Sequence, residues 1–276
     1  SIVKTRLILS ALTLACAGLV ACSSTPSKPE PSALTAFKAE FDIAPAWSLN
    51  LGSITGPLSA SVHGQRVALA SSEGRVVLLD GDKGQVLWQV QLDAPVQAGV
   101  GGDGQRFAVV NRRNEVVAMQ AGQLLWKHAL PASTLTPPLV AGGRIFVMTA
   151  DRAVTALDGA TGRELWRYEH RASDALVLRQ AGLLMPVGNT LLAGLGGRMV
   201  AIDPDQGRVQ WEVAVGSMRG TNEVERLVDL VNQAARDGQT VCARAFQSAV
   251  ACVDTASART LWSKPAQGHQ GLSMDA

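Results

Sequence analysis

The chain has 276 residues, with 25 Lys and Arg against 23 Asp and Glu, a formal net charge of +2, and 4% aromatic residues. With no basic run interleaved with aromatics, that balance sets nucleic acid aside as a partner. A hydrophobic content of 47% in a chain of this length suits one large core or an array of repeats.

The first element is a targeting segment. Lys4 and Arg6 precede an apolar run from Leu7 to Val20 that only Ser10 and Thr13 interrupt. Such a run is short for a bilayer span and has the layout of a secretory signal. It ends in Leu19-Val20-Ala21-Cys22, the pattern of a lipobox, in which the small Ala21 admits the signal peptidase and the Cys22 thiol takes the lipid. The bland alternative is an ordinary cleaved signal with an incidental Cys. Acyl chains on one residue anchor a protein by burying many methylene groups, at ~0.8 kcal/mol each. Ser23 stands where an Asp would point to inner-membrane retention, so the expected location is the periplasmic face of the outer membrane. The sequence thus divides into a signal peptide over 1–21, a lipid-anchored tether over 22–33, rich in Ser and Pro with almost nothing to bury, and a folded part over 34–276. Leu34 to Phe41 reads as one or two helical turns on the rim of that part.

An internal repeat sets the expected fold. Trp47, Trp88, Trp126, Trp166, Trp211 and Trp262 are spaced by 41, 38, 40, 45 and 51 residues. The last five each close a similar phrase, clearest in Val154-Thr155-Ala156-Leu157-Asp158-Gly159-Ala160-Thr161-Gly162-Arg163-Glu164-Leu165-Trp166. Apolar, β-prone residues make a strand, Asp and Gly make a tight turn, and a second strand ends in Trp. The copy ending at Trp126 is two residues shorter, and the copy ending at Trp262 has Ala258 where others have Gly. Upstream of each phrase lies another hairpin, such as Arg66–Ala70 turning at Glu73-Gly74. One further strand gives four antiparallel strands per ~40 residues, the size of a propeller blade. Runs such as Val76-Val77-Leu78-Leu79 are apolar on both faces, as a strand stacked between two blades requires. The reading is an all-β propeller with the Trp residues filling the wedges between blades. It counts five complete repeats and two loose ends, with Trp47 closing a blade whose inner strands lie elsewhere, and it expects a truncated chain with further blades downstream.

The spacings of 45 and 51 place extra residues after two successive Trp strands, so two long loops are expected side by side on one face. Loops on a rigid scaffold commonly carry binding. The first offers aliphatics and an Arg. The second offers Arg219, Glu223, Glu225, Arg226 and Asp229. Aliphatic anchors inside a charged rim suit a protein partner, whereas plain solvated loops also carry mixed charge. Cys242 and Cys252 lie on the two arms of one hairpin near Gln247-Ser248. A three-residue loop sets them opposite each other and a two-residue loop sets them on opposite faces, so their pairing stays open at this point.

Two other classes compete with this reading. A quinone-dependent dehydrogenase on the same repeats needs a metal, a catalytic carboxylate and often adjacent cysteines. The chain has no Cys-Cys pair, Asp80, Asp158 and Asp203 recur as turn formers, and His63, His128, His170 and His269 are scattered without ligand spacing. A cell-wall or glycan binder needs exposed aromatics, and six of the twelve aromatics are the repeat Trp. No catalytic residue, metal site or cofactor is therefore expected.

The exported region resembles the BamB family of propeller lipoproteins. The resemblance rests on the lipobox, on Ala33-Leu34-Thr35-Ala36-Phe37-Lys38 leading to Ala46-Trp47-Ser48, and on the Trp repeats. It rests more specifically on Leu176-Val177-Leu178-Arg179 and on the acidic Arg-Leu segment from Gly220 to Asp229. It implies an eight-bladed, non-catalytic scaffold of the outer-membrane β-barrel assembly (Bam) complex. Such a scaffold binds the barrel-forming insertase subunit and assists folding and insertion of outer-membrane proteins, which are themselves candidate partners. Carried over residue by residue, the partner contacts fall on Leu176, Leu178, Arg179 and Asp229, with Arg226 in the same segment. Val231 stands where the family has a second acid, which puts part of that polar contact in question.

Overall fold

Continuous apolar strands separated by Asp and Gly turns leave each sheet with two faces to bury, and stacking like sheets face to face buries both. The computed structural model describes residues 33–36, 38, 41–56, 58–171, 176–218, 220–223 and 226–274. The expected signal and the lipid site at Cys22 lie outside these. The helical turns expected over 34–41 are corrected: the described residues 33–36 and 38 carry no regular structure, and Phe37, Ala39 and Glu40 lie outside the description. Eight residues are too few to sustain an isolated helix in water.

Residues 45–276 form one compact unit. Among the described residues it holds twenty strands and no helix. The first sheet contains β1 (Ser61–His63), β2 (Arg66–Ala70), β3 (Arg75–Asp80) and β4 (Val86–Gln91). The second contains β5 (Val96–Gly102), β6 (Arg106–Asn111), β7 (Glu115–Gln120) and β8 (Gln123–Ala129). The third contains β9 (Leu139–Ala141), β10 (Arg144–Thr149), β11 (Ala153–Asp158) and β12 (Glu164–Glu169). The fourth contains β13 (Leu184–Val187), β14 (Thr190–Leu195), β15 (Arg198–Ile202) and β16 (Val209–Ala214). The fifth contains β17 (Ala235–Asp237), β18 (Thr240–Ala245), β19 (Ala249–Asp254) and β20 (Arg259–Pro265). Each sheet is a four-stranded antiparallel meander in chain order. Among the described residues these sheets are five blades of a β-propeller. The second and third strands of blades two to four are almost wholly buried, those of blade five largely so, and in blade one β3 is buried while β2 is only partly so; Phe107, Met119, Ile145, Leu157, Leu192 and Ile202 fill the spaces between successive blades. The fourth strands of blades one to four are largely open to solvent with their Trp half-buried, whereas all of β20 is exposed, so the wedge-filling role expected for Trp262 is corrected: its side chain is 45% exposed.

The repeat phrase proves to be a blade-to-blade lock. The indole Nε1–H of Trp47 donates to Gly81 O (2.8 Å), that of Trp126 to Gly159 O (2.9 Å), and that of Trp166 to Pro204 O (2.9 Å). Each acceptor sits in the Asp turn of the following blade. The Asp carboxylate holds that turn: Asp158 Oδ1 accepts from the backbone N–H of Ala160 and Thr161, and Asp80 and Asp203 do the same for their own turns. The Thr161 N–H and hydroxyl keep the Asp158 carboxyl below the usual carboxylate range. Gly162, at φ +75°, closes the turn where an L side chain is strained, and an added Cβ would lie 2.5 Å from the Trp126 ring. The shorter turn before Trp126 is a two-residue one through Ala121 and Gly122, and Trp88 packs there edge-on to Phe107 with ring centroids 5.5 Å apart.

Every blade carries the same β-bulge. Ala118 pairs with Trp126 but the next residue, Met119, pairs with Leu124, so Leu125 is the extra residue. Leu87, Leu165, Gln210 and Leu261 are its counterparts. One extra residue kinks the outer strand and resets its side-chain alternation, which turns the Trp to the next blade and leaves Leu125 outward.

In the fifth blade Cys242 lies opposite Cys252 across a three-residue loop, with Gln247 at positive φ, and the two are joined as a disulfide. Both are buried against Ala235 and Leu272. Trypsin cuts between them at Arg244. Digestion of the oxidised protein therefore releases residues 237–244 and 245–259 as one linked species that separates on reduction. Two separate peptides with alkylated cysteines would rule the bond out.

Candidate partner-docking face

In an antiparallel four-stranded blade, the turn between the second and third strands and the exit from the fourth strand lie at the same end. Five equivalent hydrogen bonds fix this. Leu92 N–H donates to Gly74 O, Leu130 to Asn114, His170 to Arg152, Val215 to Gly197 and Ala266 to Ser248. The two long loops, 170–183 and 215–234, therefore leave from one face and lie beside each other.

The second loop is a buried strap, not a free excursion. Val228, Leu230 and Val231 are 5%, 1% and 1% exposed. Val228 lies against Gly197 and Gly216, where an added Cβ would come within 2.6 Å and 3.1 Å of its side chain. Leu230 bridges to Ala245 and Val231 to Gly182, so the strap is laced to blade five on one side and to the first loop on the other. Between the buried Val228 and Leu230, the Asp229 carboxylate accepts the backbone N–H of Leu178 at 3.1 Å. Arg152 Nη2 donates to Leu176 O at 3.0 Å, and Thr136 Oγ1 accepts from Gly182 N–H. Gln180 Nε2 donates to His269 O, tying the first loop to the segment after β20.

Leu176 and Leu178 are half-buried, Arg179 is exposed, and Arg226 and Asp229 are half-buried. Asp229 and Leu178 are in direct contact; Leu176 is held by a different residue, Arg152. Val231 is enclosed, and its N–H donates to Arg244 O. A carboxylate here would enter an apolar interior, a position a second acid could occupy only with a different strap. Arg219, Val224 and Glu225 lie outside the described residues.

Sequence reasoning missed the supports Thr136 and Arg152, and it missed an axial cleft of about 530 Å3 between the loops and the turns of blades one to three. Thr136 and Arg152 are single residues in other blades, and no local pattern marks them. At the edge of this face His170 Nδ1 lies 3.3 Å from the Tyr168 hydroxyl. Burial, with Arg152 and Arg198 adding repulsion, holds its imidazole below the ordinary value of 6.5. A base whose folded pKa is depressed makes the unfolded chain bind protons first. Stability is thus fully present above pH about 6.5 and declines as pH falls from there, until the folded ring also protonates. Titrating the His170 ring signal by NMR is expected to give a midpoint below 6.5, and a midpoint at or above it contradicts the burial argument.

Comparison with known proteins adds a family. The family described as "Outer membrane protein assembly factor BamB" matches residues 41–98 and 72–276. The protein of that name from Bordetella pertussis is 31% identical over 266 residues, covering 95% of this chain and 69% of its own. The one from Burkholderia pseudomallei is 34% identical over 271 residues, covering 95% and 71%. The crystal structure of BamB from Moraxella catarrhalis superposes with a TM-score of 0.70 at 24% identity, over 76% of this chain and 64% of that one. A quinohemoprotein alcohol dehydrogenase from Comamonas testosteroni gives 0.61 at 16% identity, over 80% and 44%, which is a likeness of fold alone.

Proposed function

The chain belongs to the BamB family of outer membrane protein assembly factors, and on that premise we propose that its two-loop face docks the barrel-forming insertase subunit of the Bam complex. In this reading the protein is a non-catalytic scaffold at the periplasmic face of the outer membrane. It is held there by lipid on Cys22 through the 22–33 tether after removal of residues 1–21. Its intact propeller has eight blades, and it assists the folding and insertion of outer-membrane proteins. The observation that carries the docking reading is the bond between Asp229 and the Leu178 backbone. Together with the Arg152 bond to Leu176 O, it fixes two half-buried leucines beside an exposed Arg on a rigid support, so little ordering cost remains when a partner binds. The carboxylates that recur with the repeat are already committed to turn N–H groups, which supports a structural role for them over a catalytic one.

The test is capture of the purified periplasmic domains of the insertase by the immobilised full-length protein. Leu178→Asp buries a charge in the contact and is expected to abolish capture. Arg163→Gln, on the opposite face, is expected to leave it intact. Equal capture by wild type and Leu178→Asp, with both folded, overturns the reading.

A further inference from the structure

We propose that the joint between blades four and five is a hinge, clasped by the 226–234 strap at the two-loop face and untied at the rim of the opposite face, so that a partner seated on the loops holds it shut. The hinge itself rests on contacts between blades. Only its closure by a partner rests on the docking reading.

The first three joints are tied across at the opposite face. The residue that opens each second strand reaches into the following blade. Arg66 Nη1 donates to Gly104 O at 3.1 Å, and Arg144 pairs with Asp205 at 2.7 Å. Arg106 lies against Gly159, where an added Cβ would come within 2.5 Å of its guanidinium. The second and third joints also carry the indole bonds of Trp126 and Trp166, and at the first Trp88 packs on Phe107 and Gly122.

Both devices are missing at the fourth joint. The second strand of blade four opens with Thr190, whose hydroxyl turns back to Gln210 of its own blade at 3.0 Å. Trp211 stands opposite Ala201 as Trp126 stands opposite Ala118, yet among the described residues its indole N–H has no hydrogen-bond partner. The turn that follows in blade five has Ala258, at φ +55°, where the locked turns have Gly84, Gly162 and Gly207. A Cβ at those glycines would lie within 2.6 Å of the indole, so the Ala258 methyl keeps Trp211 from the locked position.

The fourth joint is held elsewhere. Between the first strands of blades five and four, Arg236 Nη1 donates to Pro186 O at 3.3 Å. At the loop face the strap pairs its backbone with blade five: Phe246 N–H donates to Asp229 O and Val231 N–H to Arg244 O, each at 3.0 Å. Its side chains rest on blade four, where a Cβ added at Gly197 or Gly194 would come within 2.6 Å of Val228 or 2.7 Å of Leu230. A joint fixed at the axis and at one face, and untied at the rim of the other, opens by a small rotation about the fixed sides. Asp229 belongs to the clasp and its carboxylate accepts the Leu178 N–H, so a partner on Leu178 bears on the clasp directly. A ligand that prefers the closed joint shifts the balance by its difference in affinity for the two states.

The experiment uses matched buried thiols. Ala118, Ala156 and Ala201 pair with Trp126, Trp166 and Trp211, and all three are fully buried. Each is replaced singly by Cys in the oxidised full-length protein, and native-state reaction with N-ethylmaleimide is followed by mass spectrometry of the peptide that carries it. The thiol at 201 is expected to react at least about tenfold faster than those at 118 and 156. Added to Ala201→Cys, Ala258→Gly is expected to slow the reaction at least about threefold and Val228→Ala to speed it by as much. Saturation with the purified periplasmic domains of the insertase is expected to slow it as well. Equal rates at the three positions, or no effect of Ala258→Gly, overturn the hinge. An unchanged rate at 201 with the insertase domains bound overturns closure by the partner. If those domains are not captured at all while 201 still reacts fastest, the docking reading fails and the hinge stands.

Discussion

Trp126→Ala lowers the stability of the propeller by about 3–5 kcal/mol, whereas Leu125→Ala one residue earlier costs less than about 1 kcal/mol. The two side chains are neighbours in the same outer strand, and intrinsic preference does not separate them. Trp126 donates its indole N–H to Gly159 O and lays its ring on Gly162, so its removal opens a cavity at the joint between blades two and three and leaves a carbonyl without its partner. Leu125 is the bulge residue and is 41% exposed. Because blades contact mainly their neighbours, losing one joint also uncouples the two sides. Urea denaturation followed by circular dichroism is therefore expected to show a lower midpoint and a broader transition for Trp126→Ala. Gly162→Ala is expected to act in the same direction, since its Cβ collides with the same ring at a positive φ. Equal midpoints for the two single variants at 125 and 126 contradict the lock.

Asp229→Ala weakens binding of the insertase by about tenfold to a hundredfold while leaving the denaturation midpoint of the propeller nearly in place. A hydrogen bond to a charged group contributes about 1.5–3 kcal/mol, and here the bond is spent on holding the Leu178 backbone. Without it the first loop loses a tie to the strap, and Leu178 must be ordered on binding at an entropic cost. Asp229 acts in this account as a positioning residue. Asp229→Asn keeps an acceptor oxygen at the same place and is expected to recover most of the affinity. If Asn is as poor as Ala, the charge itself touches the partner and the positioning role is wrong. Binding is read by titrating the purified insertase domains, with thermal unfolding of each variant measured alongside.

The five blades were legible because their determinants are local. Trp recurs in every copy, and in three of the five Asp, Gly and Trp stand at the same offsets, each with a reason: the carboxylate caps two turn N–H groups, the Gly takes the left-handed conformation, and the indole packs toward the next turn. The bulge was not legible, because Leu125 is as apolar and β-prone as its neighbours and only pairing across β7 and β8 reveals it as extra. The adjacency of the two long loops followed from blade topology. Their internal order did not, since Val228-Asp229-Leu230 alternates as either a solvated loop or a buried strap does. What decides is the space against Gly197 and Gly216, which belong to blade four and its exit. The face of Cys252 relative to Cys242 depended on one residue of loop length. The cleft was not legible because its lining comes from the turns of separate blades and from the first long loop.

The most direct test places a photo-crosslinking residue at position 178 of the full-length protein in living cells, with position 163 on the opposite face as the control. The docking account predicts a crosslink from 178 to the barrel-forming insertase subunit, none from 163, and a sharp drop from 178 when Asp229 is also changed to Ala. A folded, lipidated protein that gives no insertase adduct from 178, or gives as much from 163, contradicts it.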